Sequence, residues 1–343
     1  MYRREILIPL LTLKNNGGGL VVMEMARMLS KYQWNVVIIT SKYHGIDAVK
    51  SPVNSGIRFI LIPSCRIKAL SILLLILCGF FYSLINKPQI IYTHSITSII
   101  PNFSNYKALW LAQDIEYRFY KGLTRKIIKI LISRLVKEAN LIVTSQSLGK
   151  YFRRINSHII FCDDIGISKM IFNNIIVKDW IVREIDILII SKFGEHKRGQ
   201  ESKYIANLLA NIGFKVTLID QKIFKNSYNN NLSIISSVNN YELRDLLNNT
   251  KIFINLSRSE GFGLVPLEAM YMGCKVVSTP VPSLNNIKDN RLISIRGSEL
   301  IIESALDAAK FLLNQVIPDY PARNNGAMFY LEDWAESACK SIR

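Results

Sequence analysis

Residues 251–279 read KIFINLSRSEGFGLVPLEAMYMGCKVVST. An apolar run ending at Leu256 has the composition of a buried strand, a Ser- and Gly-rich turn follows, and a helix opens near Leu264–Pro266. KVVST then reads as the next strand. Glu260 falls in the loop and Glu268 on the helix. Gly261 and Gly263 let the backbone approach a ligand closely, and the first N–H groups of a helix point toward bound phosphate. No His or Cys accompanies the two carboxylates, so a metal site is a poor reading. Ionised carboxylates accept strong hydrogen bonds from vicinal sugar hydroxyls, a better use for both. For the bare spacing, a helix cap and a surface glutamate remain the simpler account.

Outward from this stretch the alternation continues. DILIISK, a helix over 200–211, FKVTLID, LSIISS, a helix over 241–248, and the quoted strand–helix–strand make one α/β sheet. Before it, EILIPLL, the helical GLVVMEMARMLSKY, NVVIIT, IRFILIP, QIIYTHS, KALWLAQ and NLIVTSQ make another. Strands alternating with helices predict βαβ units and mostly parallel sheets. The expected fold class is α/β, two Rossmann-like domains facing across a cleft, with ligands at the carboxyl ends of the strands. Residues 161–184 have no clean period, and a linker at about 170–183 separates an N-terminal domain over 1–172 from a C-terminal domain over 183–325.

The chain's 343 residues suffice for two cores, and 49% hydrophobic content with mean hydropathy +0.18 excludes a disordered chain. Net charge is +17, and it is lopsided: residues 1–180 hold 24 basic and 9 acidic side chains, which is +15 of the total. An anionic surface facing the first domain follows from that asymmetry. No nucleic-acid motif accompanies the charge. Cys65, Cys78, Cys162, Cys274 and Cys339 show no C-x-x-C pair and no neighbouring histidine, which favours reduced thiols over a disulfide framework or zinc. MYRREILIPLLTL runs directly into a glycine turn without a cleavage site, so it reads as a first strand rather than a targeting segment.

Two segments stand apart. ALSILLLILCGFFYSLIN (69–86) is at the lower edge of spanning length, yet it lies between strands of one sheet. A helix packed on the sheet, or partly dipped into a membrane face, is the expectation. From Arg118 to Lys137, seven Lys and Arg interleave with Ile and Leu, the pattern of a solvated basic helix or of membrane-surface contact. Both point to a protein peripheral to a membrane.

The whole of 251–279 resembles the nucleotide-sugar site of the retaining family 4 glycosyltransferases, a strand followed by S-x-x-E-G-F-G-(L/I)-x-x-x-E-A-(M/L)-A-x-G-x-P-V-(V/I)-(A/S). The match covers Ser257, Glu260, Gly261, Phe262, Gly263, Leu264, Glu268, Ala269, Met270, Gly273 and Val276-Val277-Ser278. It departs at Tyr271, where the family has alanine, and at Lys275, where it has proline. The likeness extends more weakly over nearly the whole chain. In 189–199, IISKFGEHKRG, Lys192 stands for the family's arginine and Lys197 for its lysine, a pair that holds the donor diphosphate and stabilises the leaving group; Arg198 is placed to share the role.

Asn16-Gly17-Gly18-Gly19 is similar to the family's N-terminal glycine loop at the donor phosphates, although taken alone it is a tight turn. His94 matches a histidine at the end of the corresponding strand, and Gln113-Asp114 stands where a second histidine near the reacting sugar is usual. The resemblance implies catalytic Lys192, Lys197 and Glu260, donor binding by Gly17, Gly18, Gly19, Arg198, Gly261, Phe262, Gly263, Leu264 and Glu268, and sugar contacts from His94, Gln113 and Asp114. It also implies a final helix (326–343) crossing back to the first domain. The expected activity is retaining transfer of a hexosyl residue from a nucleotide diphosphate sugar to a glycan or polyprenyl-diphosphate-linked acceptor, with no cofactor, metal or nucleic acid. The setting would be the cytoplasm, at the inner face of the plasma membrane, in polysaccharide assembly such as O-antigen, lipopolysaccharide or capsule. The alternative is a membrane-peripheral binding or scaffold protein that keeps the fold without turnover.

Overall fold

The computed structural model describes residues 4–13, 16–41, 56–63, 65, 67–155, 158–191, 197–220, 229–236, 238–285, 287–295, 301–314 and 330–342. The chain divides into two units, one of Met1–Gly166 with Phe329–Arg343, the other of Ile167–Met328.

Unit 1 runs β1 (Glu5–Pro9), α1 (Gly17–Lys31), β2 (Asn35–Ser41), β3 (Ile57–Ile62), α2 (Lys68–Asn86), β4 (Gln89–Tyr92), β5 (Leu109–Ala112), α3 (Gly122–Glu138), β6 (Asn140–Val143), α4 (Gln146–Arg154) and β7 (Ile159–Cys162). Its seven strands are all parallel, in the order β3-β2-β1-β4-β5-β6-β7. Unit 2 runs α5 (Lys169–Phe172), β8 (Ile185–Ser191), α6 (Gly199–Asn211), β9 (Val216–Asp220), β10 (Leu232–Ile235), α7 (Asn240–Asn248), β11 (Thr250–Asn255), α8 (Leu264–Tyr271), β12 (Lys275–Ser278), β13 (Leu292–Ser294) and α9 (Ile301–Asn314). Its six strands are also parallel, in the order β10-β9-β8-β11-β12-β13. Helix α10 (Leu331–Lys340) closes the chain.

Each sheet is covered by helices on its faces, so its central strands are apolar on both sides. Ile6, Leu7 and Ile8 of β1 and Ile187, Leu188 and Ile189 of β8 are all essentially inaccessible to water. Each sheet reverses its strand order once, between β1 and β4 and between β8 and β11. In an open parallel sheet these reversals are where loops diverge and a ligand can enter.

The division between units lies at Gly166/Ile167, earlier than the expected end at 172, and 170–183 is not a free linker. Phe172 is buried and meets Tyr271 edge to face with centroids 5.9 Å apart. The Arg183 guanidinium is buried and donates to the carbonyls of Lys178, Thr250 (2.6 Å) and Met272 (2.9 Å). An arginine satisfied by carbonyls at the start of β11 and the end of α8 pins this segment to unit 2, a role a periodicity search cannot see. Gly273 makes room for it: a Cβ there would stand 2.7 Å from the Arg183 Nη2.

Helix α10 belongs to unit 1. It buries Leu331, Trp334, Ala335, Ala338 and Cys339, an i, i+3, i+4, i+7, i+8 stripe, and it packs on α1. Trp334 stacks edge to face on Phe161 (5.6 Å), and its indole N–H donates to the Asp163 carbonyl (3.1 Å). The basic stretch expected as one helix from Arg118 is broken. Glu116–Phe119 form a 3-10 turn, and α3 begins only at Gly122, whose φ of +55° is left-handed.

Candidate functional site

In unit 2 the site is built on the loop after β11 and the start of α8. Gly263 has φ +90°, a left-handed conformation that glycine adopts without strain, and it is the N-cap of α8. The loop is clamped from one side. Ser283 donates through its backbone N–H to the Phe262 carbonyl (2.9 Å) and through its hydroxyl to the Gly263 carbonyl (2.6 Å). A Cβ on Gly263 would stand 3.0 Å from the Val281 Cβ, so the turn leaves no room for a side chain. Phe262 is buried, and with Ser283 it holds the loop in one shape. Leu264 opens α8, and Glu268, one turn in, is buried.

The Lys197 ammonium reaches this loop from the entry to α6. It donates to the Ser259 carbonyl (2.9 Å) and to Glu260 Oε2 (2.6 Å). Both side chains of the pair keep only 12% of their surface exposed. Two residues 63 positions apart thus place a cation and a carboxylate together beside the Gly261–Gly263 turn.

Arg198 follows with φ +48° and is buried rather than solvated, and its carbonyl accepts from the Ser202 N–H and hydroxyl. Burial, and then the neighbouring Arg258 cation, push its ionisation below the usual arginine range. Arg258 in turn lies 3.8 Å from Glu201. A second cation beside Arg198 was not foreseen; Arg258 sits inside the S-R-S-E-G loop, and that placement is its only sequence signal. Lys192 lies outside the described residues.

In unit 1 the expected sugar-side residues gather at the carboxyl ends of β1, β4 and β5, around the strand reversal. Gly17, Gly18 and Gly19 are not a loop ahead of the helix: they are the first turn of α1, capped by Asn16, whose Oδ1 accepts from the Gly19 N–H (3.0 Å). Gln113 lies over this turn. Its Nε2 is 3.4 Å from the Gly18 carbonyl, and a Cβ on Gly18 would stand 2.8 Å from its Oε1. Asp114 is turned to its own chain, accepting from the Ile115 N–H (2.7 Å).

His94 lies two residues beyond β4, half-exposed, with Nδ1 4.0 Å from Glu116 Oε1. Glu116 also accepts from the Ser95 N–H (2.9 Å) and hydroxyl (2.6 Å), so it orients the turn that carries His94. The part played by Glu116 was invisible in the sequence, because it depends on β4 and β5 being adjacent in the sheet.

Lys275, where the resemblance leads one to expect proline, is a buried structural cation. Its Nζ donates to the Leu312 carbonyl near the end of α9 (2.7 Å) and stands 3.8 Å above the Trp180 ring. Among the described residues, no group of three or more His, Cys, Asp or Glu side chains is gathered as a metal would need.

Two parallel sheets with single reversals place the chain in the two-unit Rossmann-like fold class, and unit 2 carries a glycine turn flanked by a lysine–glutamate pair. Residues 215–319 match the family described as Glycosyl transferases group 1, so unit 2 carries a glycosyltransferase domain. Among solved structures it is similar to HepE of Anabaena in complex with UDP and glucose, with TM-score 0.72 and 12% identity over 99% of both chains. It is also similar to sucrose-phosphate synthase from Thermosynechococcus elongatus, with TM-score 0.66 and 15% identity over 99% of this chain and 95% of that one. A third is WaaG, a glycosyltransferase involved in lipopolysaccharide biosynthesis, with TM-score 0.65 and 14% identity over 98% and 95%. At these identities the likeness is one of fold. No curated protein sequence matches the chain.

Proposed function

We propose that the protein transfers a hexosyl residue from a nucleotide diphosphate sugar to a hydroxyl of a lipid-linked glycan, with retention of anomeric configuration. The Lys197–Glu260 pair beside the Gly261–Gly263 turn carries this reading. Glu268 holds the ribose hydroxyls, Glu260 the sugar hydroxyls, and Lys197, with Lys192 and Arg198, faces the diphosphate. The C1–O bond to the diphosphate breaks and the acceptor oxygen bonds to C1 from the same face. The acceptor proton passes to the departing phosphate oxygen.

Negative charge grows on the diphosphate as the bond breaks, and fixed ammonium groups stabilise that charge more in the transition state than in the ground state. This needs neither cofactor nor metal. Within unit 1, the Gln113 carboxamide over the Gly18 turn offers hydrogen bonds to a sugar without a titrating group.

The lipid-linked acceptor and a peripheral position at the cytoplasmic face of the membrane are supported by the +15 excess in residues 1–180 and by α2. WaaG's role in lipopolysaccharide biosynthesis makes envelope polysaccharide assembly the natural pathway class. A panel of UDP-, GDP-, ADP- and dTDP-sugars read by thermal shift and by slow donor hydrolysis tests the activity. One donor should raise Tm and release its nucleotide. Binding without release across the panel would favour the non-catalytic scaffold, and no binding at all would remove the donor site.

A further inference from the structure

Helix α2 is fastened to unit 1 by one face. Leu75 is 1% exposed, Tyr82 donates to Glu5 Oε1 (2.7 Å), and Ser83 donates to the Pro101 carbonyl (2.8 Å). Gly79 lets the helix approach so closely that a Cβ there would stand 2.5 Å from Ile100 Cδ1. The other face holds Leu70, Leu73, Leu77, Phe81 and Leu84, each between 43% and 57% exposed. Their spacing of three or four puts them on one stripe along the helix. By length and composition, Ala69–Asn86 is also apolar enough to cross a membrane, and only 17% of it lies inside the protein. So long an unbroken apolar stripe on a soluble surface marks an interaction site.

Helix α3 lies on the same side of the sheet. Leu75 of α2 and Ile128, Ile132 and Leu135 of α3 share one core with Leu7, Ile90 and Trp110. The turn Ser95–Ile99 bridges the two helices: α3 packs on it, and Ile100 just beyond it meets Gly79. On α3, Arg125, Lys126 and Lys129 are exposed among Leu123, Ile127 and Ile130, which are also exposed. Arg125 and Lys129 stand over the Tyr117 ring at 5.7 and 5.1 Å. Among the described residues, the α3 cation paired with a carboxylate is Arg134, with Glu138 at 2.7 Å. An apolar stripe and a row of cations therefore look outward from one side of unit 1.

We propose that this side is a docking surface for an anionic lipid bilayer, with α2 lying in the membrane plane. Its Leu70–Leu84 stripe enters the acyl boundary, and the α3 cations meet the lipid phosphates. Charge argues against a second copy as the occupant, because it would bring like charge to an already cationic face. The hydrogen bonds of Tyr82 and Ser83 argue against spanning, since a crossing helix would have to leave the sheet. This deepens the membrane-peripheral part of the function proposed above and rests on it for its purpose, to bring a lipid-carried acceptor to the enzyme.

The test is flotation of the full chain with vesicles of phosphatidylcholine alone and of phosphatidylcholine with phosphatidylglycerol in equal parts. Binding to the mixed vesicles should exceed binding to the neutral ones, and high salt should weaken it only in part. Leu73→Ser/Leu77→Ser/Phe81→Ser should weaken partitioning by about tenfold or more and remove the salt-resistant fraction. Arg125→Gln/Lys126→Gln/Lys129→Gln should remove the salt-sensitive fraction, about fivefold per cation. Both variants should keep the wild-type circular dichroism and a cooperative thermal transition, which shows that they fold.

A stripe variant that floats as well as wild type overturns the proposal, as does a wild type that ignores anionic vesicles. So does a wild-type dimer that the stripe variant dissociates without any lipid binding. Retention after carbonate extraction, with a segment accessible on the far side, would overturn it in favour of a span. If flotation behaves as expected while no nucleotide sugar is bound or hydrolysed, the docking surface stands and the proposed activity falls.

Discussion

The Lys197 ammonium and Glu260 Oε2 stand 2.6 Å apart at the glycine turn, each side chain holding a narrow solvent edge. Before a donor binds, each group satisfies the other. On the proposed function, an arriving diphosphate would compete for the ammonium and free the carboxylate for sugar hydroxyls. Glu260→Gln, which keeps the shape and loses the charge, should lower turnover by about 100-fold with a smaller change in donor affinity, and Lys197→Ala should do likewise. Single-turnover rates and donor titration separate the two quantities. Weaker affinity with an unchanged single-turnover rate would mean that the pair binds donor uniformly and does not act on the bond being broken.

Glu268 is buried on α8, and the proposed function gives it the ribose rather than the reacting bond. Glu268→Ala should weaken donor binding by roughly 1.5–3 kcal/mol, the range for a hydrogen bond to a charged group. Calorimetric titration with nucleoside diphosphate alone reads this, since a ribose contact is shared by donor and product. Wild-type affinity for the diphosphate would remove Glu268 from the site.

Transfer should proceed without added metal, because ammonium groups meet the leaving charge. Turnover measured in excess EDTA should match the untreated rate. Loss of activity that magnesium or manganese restores would assign the charge stabilisation to an ion.

Lys275 should matter to stability and not to the donor. Its ammonium meets the Leu312 carbonyl and the Trp180 indole face, and removing it leaves that carbonyl without this donor. Lys275→Met should destabilise unit 2 by about 1–3 kcal/mol in denaturant unfolding while donor affinity stays at the wild-type value. A change in affinity with unchanged stability would reverse that assignment.

The Cys274 thiol is fully enclosed, and burial pushes its ionisation up to about 12 from an ordinary 9.0. Because the folded value lies above the unfolded one, its contribution is fully present below about pH 9. It is then lost as pH rises toward 12, by about 1.4 kcal/mol per unit. Comparing wild type with Cys274→Ala at about pH 8 and about pH 10.5 isolates this slope from other titrating groups. A parallel pH dependence in the two proteins would show that the thiol ionises equally in both states. In the native protein at neutral pH, Cys274 should also resist alkylation.

Much of the fold was legible because parallel strands buried on both faces must be continuous apolar runs, and EILIP, NVVIITS, IDILIIS and TKIFIN advertise themselves as such. The short outer strands Ile159–Cys162 and Leu292–Ser294 do not, since three or four residues carry too little pattern. The glycine turn was legible for a local reason: the Gly263 conformation is set by its own φ and by the lack of a Cβ.

What the sequence alone determined about this protein is therefore what depends on near neighbours: two α/β units, the turn at Gly261–Gly263, the helix carrying Glu268, and the greasy and basic segments of the first half. The tertiary structure decided which distant residues meet. It set Lys197 against Glu260 across 63 positions, laid Gln113 over Gly18, and drew 167–183 onto unit 2 through Arg183. It also chose which side of α2 faces water. A helix apolar all round has no preferred side of its own, and only its packing on the sheet, with Leu75 in the core, Gly79 against Ile100 and Ser83 bonded to the Pro101 carbonyl, leaves Leu73, Leu77 and Phe81 outside.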